Sequence, residues 1–196
     1  MTRIKLEPRM SITAFGSELR RSLFGGLALA LVFALTPVST VQALTQAQTQ
    51  SRAPSSAEER ARFVSITHRL EAAPLQPEAR ADRAWALQWL VDVPDVSVNV
   101  CLDYLGGLKR DYPYAGEITL QYTFATAVYK IENPERTDDR FAQLAGVESA
   151  LSAYRAILRV QPQAKSPALD ALLDAQTRGG LSGFIVSASG GCSASN

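Results

Sequence analysis

Apolar residues along this chain recur at intervals of three and four, the signature of helices that bury one face. Phe63, Ile66 and Leu70 line one such face. Ahead of them Ser56 and Glu59 stand at the capping-box spacing, where a serine oxygen and a glutamate carboxylate satisfy helix amides reciprocally. A helix is therefore expected to start there, closed by Ala72, Ala73 and Pro74. Pro77 suits the first turn of a second helix over residues 78–93, in which Ala81, Trp85 and Trp89 share a stripe flanked by Leu87, Leu90 and Val91. Apolar over more than half its girth, this helix is expected to be central in the fold, and Pro94 ends it.

Residues 95–108 admit two readings. Val93, Val96, Val98 and Val100 alternate as in a short extended piece, whereas Ser97 fits the cap of a helix carrying Cys101, Leu102, Leu105 and Leu108. Spacing after Cys101 favours the helix, although Gly106 and Gly107 weaken it. Residues 111–116 are a turn by composition. A strong helix follows over residues 117–132, with Leu120, Phe124, Ala127 and Ile131 on one ridge and Ile118, Tyr122, Ala125 and Tyr129 beside it. Asn133 before Pro134 stops it.

Thr137, Asp138 and Asp139 open the longest helix, which runs to about Val160 with Leu144, Val147, Leu151, Tyr154 and Leu158 as its seam. Ser166 and Pro167 cap a short helix bearing Leu169, Leu172 and Leu173, and Leu181, Phe184, Ile185 and Ala188 give one or two last turns. Ala150, Tyr154, Leu158 and Pro162 look like the second helix of a tetratricopeptide repeat, but no second copy follows at its period. The expected fold is all-α: a compact bundle of six to seven short antiparallel helices in one domain, residues 56–189. Residues 190–196 are read as a tail too small and polar to pack.

The N-terminal region has a different pattern. A polar lead, Arg20 and Arg21, an apolar run over residues 23–35, Pro37, and Val41 two places before Ala43 read as an export signal over residues 1–43, cut after Ala43. The apolar run is shorter than the ~20 residues that cross a bilayer, so no stable membrane anchor is expected. General and twin-arginine export both remain open, as does Met10 as the start. Residues 44–55, rich in Gln, Thr, Ser and Ala, are expected to form a flexible polar tether.

Removing the signal changes the charge. Residues 1–43 hold five of the chain's 20 basic and two of its 19 acidic side chains, leaving 15 and 17, a formal net charge of −2 over 153 residues. That balance gives no electrostatic reason to bind nucleic acid. Two cysteines remain, Cys101 and Cys192, and in an exported chain a disulfide between them is favoured over free or intermolecular thiols.

Reactive constellations are scarce. His68 is the single histidine, no zinc, phosphate-loop or nucleophile motif occurs, and neither a metal nor a cofactor is expected. His68 and Glu71 offer at most half a metal site, read as an exposed helix surface. Five of six tyrosines fall between Tyr104 and Tyr129. Trp85, Trp89, Tyr122 and Tyr129 suit a core, while Tyr112 and Tyr114, flanking Pro113 in a turn, are expected to be exposed. With Glu117 and Gln121 they form the candidate binding surface.

The segments V-C-L-D-Y-L-G-G-L, E-I-T-L-Q-Y, I-E-N-P and G-V-E-S-A-L-S-A-Y, then a short L-D-x-L-L helix and a terminal cysteine, resemble a group of exported bacterial helical proteins of unknown function. The resemblance implies a helical exported domain and no activity. A fainter one, in the cysteine-and-tyrosine helix followed by N-P-E, is to small periplasmic immunity proteins of the Tai type. Together these readings point to a periplasmic or secreted, non-catalytic module for a protein or peptide partner. A small hydrolase working through carboxylates alone is the alternative.

Overall fold

The computed structural model describes residues 52–193. The signal segment, its cleavage after Ala43 and all of the tether before residue 52 lie outside the described residues. Six α-helices and one 3-10 turn make up the described part: α1 (Ala57–Ala72), α2 (Ala79–Asp92), the turn Leu102–Leu105, α3 (Ala115–Glu132), α4 (Asp139–Val160), α5 (Pro167–Thr177) and α6 (Leu181–Ser193). The protein is an all-α bundle.

Its axis is α3, in which every residue from 121 to 128 is buried. One side of α3 gives Phe124 and Ala127 to a core shared with Phe63, Ile66 and Trp89 of α1 and α2. The other gives Ile118 and Tyr122 to a core with Leu105, Tyr154, Leu169 and Ile185. Each such large side chain withdrawn from water contributes about 1.5–3 kcal/mol, so two apolar faces on one helix explain why α3 organises the rest. On α4, Gly146 lets the two longest helices meet at backbone distance.

Helix ends follow the expected chemistry. Ser56 and Glu59 form the reciprocal capping box of α1, Asp138 caps α4 by accepting from the Arg140 amide, and Ser166 caps α5 ahead of Pro167.

Four expectations are corrected. The favoured helix over residues 97–108 is replaced by irregular chain and a four-residue turn: side chains of α3 and α4 take the Ser97 and Asn99 carbonyls and the Cys101 amide, and Gly106 and Gly107, at φ of 65° and 76°, end the turn. The second helix is not central: Leu87 and Val91 are 41% and 71% exposed, and α2 buries only Ala79, Ala86 and Trp89. Residues 190–193, read as a loose tail, belong to α6, and small side chains are what let it pack. A Cβ on Gly191 would stand 2.5 Å from the Asp103 carboxylate.

The fourth concerns the end of the tether. Ser55 is buried, and its amide and hydroxyl each donate to Asp95 at 2.8 Å, while Arg60 pairs with the same carboxylate at 2.6 Å. The Ser55 amide is the main reason the Asp95 carboxyl is held down at about 2.

Candidate functional site

Between α2 and the 3-10 turn the chain leaves Val93 in extended backbone and reaches Cys101 in extended backbone. Side chains of α3 and α4 hold it by its odd-numbered residues. Lys130 Nζ donates to the Ser97 carbonyl at 3.1 Å, Gln143 Nε2 donates to the Asn99 carbonyl at 2.9 Å, and the Cys101 amide donates to the Tyr122 hydroxyl at 3.4 Å. That hydroxyl in turn donates to Gln143 Oε1, so one tyrosine and one glutamine fix two successive points of the segment. Burial pushes the Tyr122 hydroxyl up to about 12, which keeps it a donor at any ordinary pH.

Beside this segment opens a cleft of about 600 Å³, walled by Val100, Leu102 and Asp103 on one side, Arg140 of α4 on another, and Cys192 of α6. Val100 and Leu102 are 50% and 44% exposed, a large apolar area to leave in water. Electrostatically the cleft is acidic. Arg140 neutralises Asp138 at 2.7 Å and, through its side-chain hydrogen bonds, lowers that carboxyl, and Lys130 neutralises Asp139 at 2.9 Å. Asp103 is exposed and has no ion pair among the described residues. Across Asp138 and Arg140 lies a smaller apolar hollow of about 200 Å³ between Phe141 and Val186.

The disulfide Cys101–Cys192 forms the back of the cleft, with Cα atoms 5.7 Å apart, and joins α6 to the 3-10 turn. Both sulfurs and the Asp103 carboxylate lie within 4.8 Å of one another. Metals bind thiolates, not disulfide sulfurs, so in this form the cluster offers a cation one carboxylate and no more. No helix of the described residues is long and apolar enough to cross a membrane.

The chain matches no protein-family model, no curated protein and no solved structure.

The tyrosine turn has a different character from the one expected. Tyr112 is buried rather than exposed, its hydroxyl donating to the Ala164 carbonyl at 2.9 Å and its ring edge-on to Tyr154. Tyr114 is half-buried with its ring 6.0 Å from that of Tyr112. Glu117 lies 3.6 Å from Arg83 of α2, and Gln121 is buried, donating to the Thr67 carbonyl at 3.2 Å and to Ser149 Oγ at 2.8 Å. Two of the four are buried and two half-buried, and each makes contacts within the fold. Glu71 accepts from Ser149 at 2.6 Å, which engages it away from the exposed His68. Val100, Leu102 and Asp103 were not singled out by sequence as a surface. The alternation of valines was the signal that pointed to them.

Proposed function

We propose that this chain is an exported, non-catalytic helical module that holds a protein or peptide partner in the cleft beside its disulfide. The observation that carries this is the open cleft itself: Val100 and Leu102, half in water, next to Asp103, which has no ion pair among the described residues. Apolar area left exposed beside a polar rim is how recognition surfaces are composed. Export is supported by the N-terminal pattern and by a disulfide that persists in oxidising compartments.

The hydrolase alternative draws little support. Among the described residues the displaced carboxyls, Glu58, Asp95 and Asp138, are all displaced downward by hydrogen bonds to their charged forms. A general acid needs the opposite shift.

The test is site-specific photo-crosslinking in cells. A photoreactive residue at position 102 should give a discrete adduct with another protein, and one at position 160, where Val160 is 63% exposed far along α4, should not. No adduct at 102, or equal adducts at both, removes the reading.

A further inference from the structure

Alternate residues of an extended chain turn their N–H and C=O groups to opposite sides. The Ser97 and Asn99 carbonyls and the Cys101 amide are taken by Lys130, Gln143 and Tyr122. The backbone groups of Val98 and Val100 make no hydrogen bond among the described residues. Both residues line the large cleft. The result is a stretch of chain held by three side chains, with the backbone groups of two residues left over beside the cleft.

Resting on the reading just given, we propose that the partner enters the cleft as an extended peptide that adds to the Val98–Val100 edge as a strand and carries a basic residue to Asp103. The chemistry follows from what is left over. Two N–H and two C=O groups of Val98 and Val100 await the complementary groups of a second extended backbone, the mode by which sheets capture peptides. Val100 and Leu102 present apolar surface to one set of the peptide's side chains. The other set meets Asp103, which has no ion pair among the described residues, Arg140 being spent on Asp138 and Lys130 on Asp139. A peptide alternating apolar and basic residues matches all three, and an acidic one is repelled. The edge is short, so side-chain complementarity rather than ladder length sets the affinity.

Three capped seven-residue peptides test this on the oxidised protein: alternating valine and lysine, alternating valine and glutamate, and the lysine peptide N-methylated at alternate backbone nitrogens. The lysine peptide should bind and slow amide exchange at Val98 and Val100 by about tenfold or more. The other two should bind at least about tenfold more weakly. Val100→Pro, which deletes one ladder N–H, and Asp103→Lys, which reverses a charge on the surface, should each weaken the lysine peptide by a similar factor with far-UV circular dichroism unchanged. Lack of binding, binding that leaves the two amides unprotected, or equal binding of the glutamate peptide overturns the proposal. If that happens while position 102 still crosslinks to a partner, the strand mode is wrong and the binding module stands; if crosslinking fails as well, both fall.

Discussion

Gly146 of α4 rests against Tyr122 of α3 so closely that a Cβ at 146 would stand 2.8 Å from the Tyr122 carbonyl oxygen, and closer still to Thr126 Oγ1. A carbonyl belongs to the backbone and cannot swing aside, so any side chain here forces the two longest helices apart. Gly146→Ala is expected to cost about 1–3 kcal/mol in urea unfolding, despite alanine's better helix propensity. Thr126→Ala in the same chain should restore only part of it, since the carbonyl contact remains. A Gly146→Ala variant as stable as the wild type would show that α3 and α4 have room to slide.

Asp95 gathers the Ser55 amide, the Ser55 hydroxyl and Arg60, and its carboxyl is held at about 2 in the folded chain against 3.8 ordinarily. A lowered folded value means stability that is present above about pH 4 and lost as pH falls towards 2. Discounted for partial exposure, the contribution is about 1–2 kcal/mol. Asp95→Asn should abolish that acid-side slope and free residues 52–55 to proteolysis, while unfolding at pH 7 shifts by the same amount.

Tyr112 separates the turn read as a surface from the turn as it is built. Tyr112→Phe loses the hydrogen bond to the Ala164 carbonyl and should cost about 0.5–1.5 kcal/mol. Tyr112→Ala also empties space against Tyr154 and should cost about 3–5 kcal/mol. Neither should alter crosslinking from position 102 under conditions where the chain stays folded. Loss of the adduct in folded Tyr112→Phe would return the turn to the binding surface.

Gln143 joins Tyr122 to the Asn99 carbonyl. Gln143→Leu leaves a buried hydroxyl without its acceptor and a carbonyl without its donor, a cost of about 1–3 kcal/mol. The more diagnostic outcome is local: amide exchange at Cys101 should rise more than exchange in the middle of α3. Uniform change across the helices would argue that Gln143 stabilises the core generally and does not hold the segment.

Helices were legible where local chemistry decides them. The box of Ser56 and Glu59, the stop at Asn133 and Pro134, and the cap of Ser166 before Pro167 act within a few residues, so the sequence states them directly. What it could not state was orientation. Leu87 and Val91 look as apolar as Trp89, and only the packing of α1 and α3 decides which face of α2 is covered. Residues 97–108 carry helical spacing, but Val96 and Val98 pack against the core shared by α1, α2 and α3, a long-range contact that spacing does not encode. The tyrosines misled for a related reason: composition counts rings, whereas exposure depends on a carbonyl 52 residues away at Ala164. Asp103 drew no attention in the sequence because its interest lies in having no ion pair among the described residues, a property of the fold and not of the string.

Replacing Cys192 by serine should leave both apolar cores standing, since Leu181 and Ile185 hold the first turns of α6 without it. The last turns should fray, read as faster amide exchange after Ala188, and the loss in overall stability should be at most about 4–5 kcal/mol, the chain-entropy value for a closure of this size. Wild-type exchange rates after Ala188 in the serine variant would mean that the bond holds nothing that packing does not.

Because Cys192 is also one wall of the cleft, a chain that has collapsed but not yet been oxidised keeps its interior and lacks a finished mouth. Maturation would then come in two stages, with the second set by the redox state of the surroundings, and on the proposed reading a newly made molecule would stay blind to a partner until sulfur can cross-link.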